Sequence, residues 1–80
     1  MKFPLLKRVA LRVDVPNHKL CRGDIATIVE HHPHPDEDGY SLEVFNALGE
    51  TIAVITLAES EIEPLMCNEV LRVRTLTEAA

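Results

Sequence analysis

Three histidines crowd one short stretch of this chain, His31, His32 and His34, and three carboxylates follow at once, Asp36, Glu37 and Asp38. Imidazole and carboxylate are the donor set of Zn²⁺, Ni²⁺ or Cu²⁺ sites. In an extended backbone His32 and His34 project from the same side. The spacing matches no fixed ligand pattern, and Pro33 and Pro35 restrict how the loop folds around an ion. The competing reading is a solvated loop with adventitious metal affinity.

Arginines make a second constellation. Arg8 and Arg12 lie near the start of the chain, Arg72 and Arg74 near its end. If the first and last strands are neighbours, the four share one outer face. That face would bind an acidic partner or an RNA backbone. The competing reading pairs them across the sheet with Glu43, Glu59, Glu61 or Glu63, at about 0–1 kcal/mol per surface pair.

Nucleophilic chemistry has little to stand on. Ser41 and Ser60 lack the glycine context of a nucleophile elbow. Three scattered glycines make no phosphate loop. Cys21 with a histidine would form a thiol–imidazole pair, but it precedes a tight turn, and Cys67 sits in a linker. The two cysteines are 46 positions apart and form no metal motif. No secretory signal is visible, which favours two reduced thiols and a cytoplasmic setting. No apolar run approaches the roughly 20 residues that span a bilayer. A non-enzymatic chain without a cofactor is the expectation.

Charge is distributed unevenly. The net charge is −5, yet Gly23 to Leu71 contains eleven acidic residues and no Lys or Arg. That stretch carries −11 and the two flanks together +6. An acidic chain argues against general nucleic-acid binding, which needs a basic surface. It favours a basic protein partner.

These side chains need a scaffold, and the pattern is that of strands. Leu5, Val9, Leu11 and Val13 share one parity and Arg8, Ala10 and Arg12 the other, giving a half-buried strand. Gly23-Asp24 is a turn that opens a strand rich in β-branched residues, from Asp24 to His31. Such a turn is typical of small SH3-like barrels. His32 to Gly39 reads as a hairpin loop, because its prolines cannot donate to a ladder. Tyr40, Leu42 and Val44 alternate with polar residues in a third strand. Thr51 to Leu57 is almost all apolar or β-branched and reads as a central strand covered on both faces. Ala58 to Glu61 fits one 3₁₀ turn. Ile62 to Leu65 is a short extended piece, and Val70 to Arg74 alternates as a last strand. That last strand is also an open edge that would accept a strand from another chain or a second copy, making a homodimer.

The predicted fold is all-β: one domain over residues 1–80, a small SH3-like barrel of five or six antiparallel strands, ordered over about 3–76 with a tail at 77–80. The predicted core is Val9, Leu11, Ile28, Leu42, Val44, Ile52, Val54, Leu57, Ile62 and Leu65. Gly23 and Gly49 are expected at positive φ.

Five segments carry a family resemblance. They are Phe3-Pro4-Leu5-Leu6, Leu20 with Arg22 through Glu30, Asn46 through Val54, Ile62-Glu63-Pro64-Leu65, and Glu69 through Arg74. Together they resemble the bacterial family DUF4926, over about residues 3–76. The Asn-Ala-Leu-Gly-Glu-Thr-Ile-Ala run is the most specific of them. The resemblance implies an SH3-like small barrel of uncharacterised function with no catalytic motif. Ala26 stands where the family often has Gly.

Two functions of different class follow from these residues. One is a protein-binding module that partners a basic protein, as an antitoxin or immunity protein does. The alternative is a metal-binding accessory protein that uses His31, His32 and His34.

Overall fold

The computed structural model describes residues 2–76. It is all-β: β1 (Arg8–Leu11), β2 (Ile25–His32), β3 (Gly39–Phe45), β4 (Thr51–Ala58) and β5 (Ile62–Pro64), with 3₁₀ turns at Pro16–His18 and Glu59–Glu61. The five strands form a single antiparallel sheet in the order β4-β3-β2-β1-β5. The sheet is open, with β4 and β5 at its two edges. The expected tail at 77–80 lies outside the described residues.

Turn chemistry sets the strand order. Gly23 has φ 94°, and Asp24 Oδ2 accepts the Cys21 N–H at 2.7 Å, closing the turn that enters β2. Asn46 Oδ1 accepts the N–H groups of Leu48 and Glu50 at 3.0 and 2.9 Å, and Gly49 takes φ 85° to return the chain into β4. Both glycines sit where an L side chain is strained even with open space around it. Gly23→Val should therefore lower stability by about 1–3 kcal/mol, read from the midpoint of urea unfolding.

Two irregularities bend the sheet. Ile28 pairs with Leu42, but Glu30 pairs with Ser41, so Val29 is an extra residue in β2. Val44 pairs with Ala53 and Phe45 with Thr51, so Ile52 is an extra residue in β4. Bulges of this kind increase twist and reset which side chains face the core. Inside the curve lie Phe3, Val9, Leu11, Leu20, Ala26, Ile28, Tyr40, Leu42, Val44, Ala53, Ile55 and Ile62.

Several expectations are corrected here. β4 is not covered on both faces: Ala53 and Ile55 are buried, whereas Val54 is 60 % exposed and Ile52 38 %. Unbroken apolar composition looked like a central strand, but β4 is an edge. Val70–Arg74 forms no strand; the fifth strand is Ile62–Pro64, with Glu63 opposite Ala10. Leu65 is half-buried, and Leu57 packs on the rim of the core. Ala10, placed with the outward arginines, is buried and lines a groove with Leu65, Leu71 and Leu76.

Candidate functional site

The Val29 bulge decides which histidine of the segment faces the core. The shift in parity brings His31 into register with Tyr40, against the core, and sends His32 to the outer face beside Ser41. The His31 ring lies over Tyr40, with centroids 5.2 Å apart and planes tilted by 33°. Its Nε2 is 2.8 Å from Asp38 Oδ2. His32 Nε2 is 2.7 Å from Ser41 Oγ, and Ser41 in turn is 3.4 Å from Thr56 Oγ1. His34 stays in the loop, where its Nδ1 accepts the Asp36 N–H at 3.2 Å. The three imidazole rings thus have separate hydrogen-bond partners, although the His34 backbone N–H also donates to Asp38. Among the described residues no group of three or more His, Cys, Asp or Glu side chains is gathered for a metal ion. His32 and His34, two apart in sequence, bond to different groups, one on the sheet and one in the loop.

Tyr40 anchors this end of the sheet. Its ring is fully buried and meets Phe3 edge-on, with centroids 5.6 Å apart. Its hydroxyl donates to Glu59 Oε2 at 2.8 Å and accepts the backbone N–H groups of Lys2 and Phe3 at 3.2 and 3.4 Å. One phenol therefore ties the N-terminal segment, β3 and the second 3₁₀ turn. Burial, with the Glu59 carboxylate beside it, pushes its pKa above the usual phenol range. The hydrogen bond from His31 holds the Asp38 carboxyl below the usual carboxylate range, helped by the His34 N–H. Among the described residues no nucleophilic side chain is bonded to the His31–Asp38 pair, which holds the loop to the sheet.

At the other end, Arg74 reaches the Gly-Asp turn. Its Nε donates to Asp24 Oδ1 at 2.9 Å, and its Nη2 donates to Asp24 Oδ2 and to the Lys19 carbonyl. Partial burial raises the Asp24 pKa, but the Arg74 hydrogen bond, the Cys21 N–H and the Arg74 charge outweigh it, leaving a net lowering. Among the four predicted partner-binding arginines, Arg74 is thus committed to Asp24, and Arg12 lies 3.9 Å from Glu63. Arg8 and Arg72 are exposed and make no ion pair among the described residues. The strand pairing that would have aligned all four is absent, because residues 70–74 are not a strand.

These titrations define a stability window. Asp24 and Asp38 have lowered pKa values in the fold, so their stabilisation is present above about pH 4, the unfolded carboxylate value, and is lost as pH falls through the lower folded values. Tyr40 has a raised value, so its contribution is present below about pH 10 and is lost as pH rises through the folded value. Melting temperature measured from pH 2 to 12 should hold a plateau between those limits and fall on both sides. Asp24→Asn should soften the acid limb.

Sequence reasoning missed the free edge of β4. Glu59 N–H donates to the Asp38 carbonyl at 2.8 Å, in register with the pairs Gly39–Ala58 through Val44–Ala53. Bonded and non-bonded pairs alternate along an antiparallel ladder. The main-chain groups of Ala53, Ile55 and Leu57 therefore turn toward β3, and those of Val54, Thr56 and Ala58 turn outward. The Ala58 N–H is taken by Glu61 at 2.9 Å, which leaves Val54 and Thr56 open among the described residues. A strand with no charge and no proline is a poorly guarded edge. The opposite edge, β5, is three residues long and ends in Pro64.

A family model described as a domain of unknown function, DUF4926, matches residues 5–64. The chain belongs to the DUF4926 family. The match contains all five strands and stops at Pro64, so the stretch Glu69 through Arg74, read above as part of the resemblance, lies beyond it. Ala26, the departure from the family pattern, is buried opposite Val9, where its methyl fills core space. No curated protein and no solved structure matches the chain. Among the described residues no helix is long and apolar enough to cross a membrane.

Proposed function

We propose that this DUF4926 chain is a non-enzymatic binding module whose partner is a basic protein, in the manner of an antitoxin or an immunity protein. One observation supports this reading above the others. Of the eleven carboxylates between Gly23 and Leu71, two have an arginine within 4.0 Å, Asp24 with Arg74 and Glu63 with Arg12. The other nine have no Lys or Arg partner among the described residues. They include Glu30, Glu43 and Glu50 around the β2–β3–β4 sheet.

Unneutralised charge of one sign destabilises a compact chain through self-repulsion and raises the encounter rate with a partner of the opposite sign. A surface that carries this cost in the folded chain recovers it in a complex with a cationic protein. The small sheet offers edges and loops, the parts of such scaffolds that meet partners.

Affinity capture from the native host tests the proposal, with wild-type chain and the Glu30→Lys/Glu43→Lys double variant as baits. The expected result is one stoichiometric basic chain on the wild-type bait. Its association should slow as salt rises, and the double variant should bind it at least about tenfold more weakly. Equal recovery on both baits overturns the reading.

A further inference from the structure

We propose that the partner docks as an added strand on β4, hydrogen-bonding Val54 and Thr56 and placing Lys or Arg side chains over the outer face. This rests on the basic-partner reading and names where and in what conformation such a partner binds. β4 runs eight residues, Thr51–Ala58, without charge or proline. The N–H and C=O of Val54 and Thr56 point away from β3, as the ladder phase set by Glu59 and Asp38 requires. They are spaced at i and i+2, the repeat with which an antiparallel strand exchanges paired bonds. Strand addition of this kind draws affinity from the main chain and selectivity from alternate side chains.

The surroundings of the edge specify the sign of those side chains. On the outer face Glu43 is the cross-strand partner of Val54. Glu50 precedes β4, and Glu59 and Glu61 follow it. Glu43 accepts a hydrogen bond from Thr51, Glu50 from Asn46, Glu59 from Tyr40 and Glu61 from the Ala58 N–H. Each donor is neutral, so all four charges stand without a cation among the described residues. An incoming Lys or Arg opposite Val54 lays its alkyl stem on the exposed Val54 side chain and carries its charge toward Glu43. A second copy of this chain brings an uncharged β4 but a net charge of −5, so its approach is opposed where a basic strand is drawn in.

Two variants separate the edge from the fold. Val54→Pro removes an outward N–H while leaving the bonds to β3, as an edge strand tolerates. Val54→Lys keeps the whole ladder and places a repelling charge on the edge. The probe is an eight-residue peptide alternating Lys and Val, with its Glu–Val counterpart as control, added to the full chain. Residue-resolved amide exchange is the readout.

The expected result is slowed exchange at Val54 and Thr56 with the Lys peptide and none with the Glu peptide. Both variants should keep their melting temperature and bind at least tenfold more weakly. Slowed exchange elsewhere, with Val54 and Thr56 unchanged, overturns the docking site while the basic-partner reading survives. Equal response to the two peptides, or no response at millimolar peptide, also overturns it. A dimer in sedimentation that Val54→Pro converts to monomer assigns the edge to a second copy and overturns it as well.

Discussion

Replacing Tyr40 by alanine should cost about 3–5 kcal/mol, the range for deleting a large buried aromatic side chain. For a domain whose whole stability is on the order of 5–15 kcal/mol, that leaves a substantial unfolded fraction at room temperature. The size of the effect comes from position. The ring is fully buried between Phe3 and His31, and its hydroxyl gathers three hydrogen bonds from segments far apart in the chain. Tyr40→Phe keeps the ring and removes the hydroxyl. It should cost about 1–3 kcal/mol, because the N–H groups of Lys2 and Phe3 and the Glu59 carboxylate lose their shared partner. Urea unfolding of both variants checks the split. Equal losses would mean the packing contribution is small and the account of this end of the sheet is wrong.

A second large effect distinguishes the two faces of β4. Ile55 is 7 % exposed and its neighbour Val54 is 60 % exposed. Ile55→Ala should lower stability by about 2–5 kcal/mol, as buried isoleucine truncations do. Val54→Ala should change it by no more than about 0.5 kcal/mol, as surface substitutions do. Were β4 a central strand covered on both sides, the two truncations would cost similar amounts.

This contrast also marks where the sequence was legible. β1 and β3 were readable because they alternate, and burying one face leaves that signature in composition; β2 was readable because a run of β-branched residues follows a turn. The glycines were readable because a turn that needs positive φ selects them, and both have it. β4 reads as a covered strand because Val54 and Thr56 are β-branched on the open face. High β-propensity fits a pleated surface whether or not anything covers it. Val70 to Arg74 alternates like a strand, but β5 already occupies the β1 edge at Ile62–Pro64, and Arg74 is drawn instead to Asp24.

The histidines show a different limit. Their types suggest a metal site; neighbouring strand residues face opposite sides in any register, and the extra residue at Val29 decides that His31, not His32, is the one against the core. Bulges depend on how two strands pair, so no local pattern announces them. The acidic bias was legible in full. Which carboxylates lack a cation was not, because Arg12 and Arg74 choose their partners only in the folded chain. Tyr40 was legible as a strand residue but not as an anchor, since its three bonding partners lie 19 or more positions away.

The account rests on β4 being an open edge, and amide exchange of the unliganded chain, resolved by residue, tests that most directly. Val54 and Thr56 should exchange fast, while Ala53, Ile55 and Leu57, bonded to β3, should be protected. Uniform protection along Thr51–Ala58 would contradict it, because the edge would then already be covered.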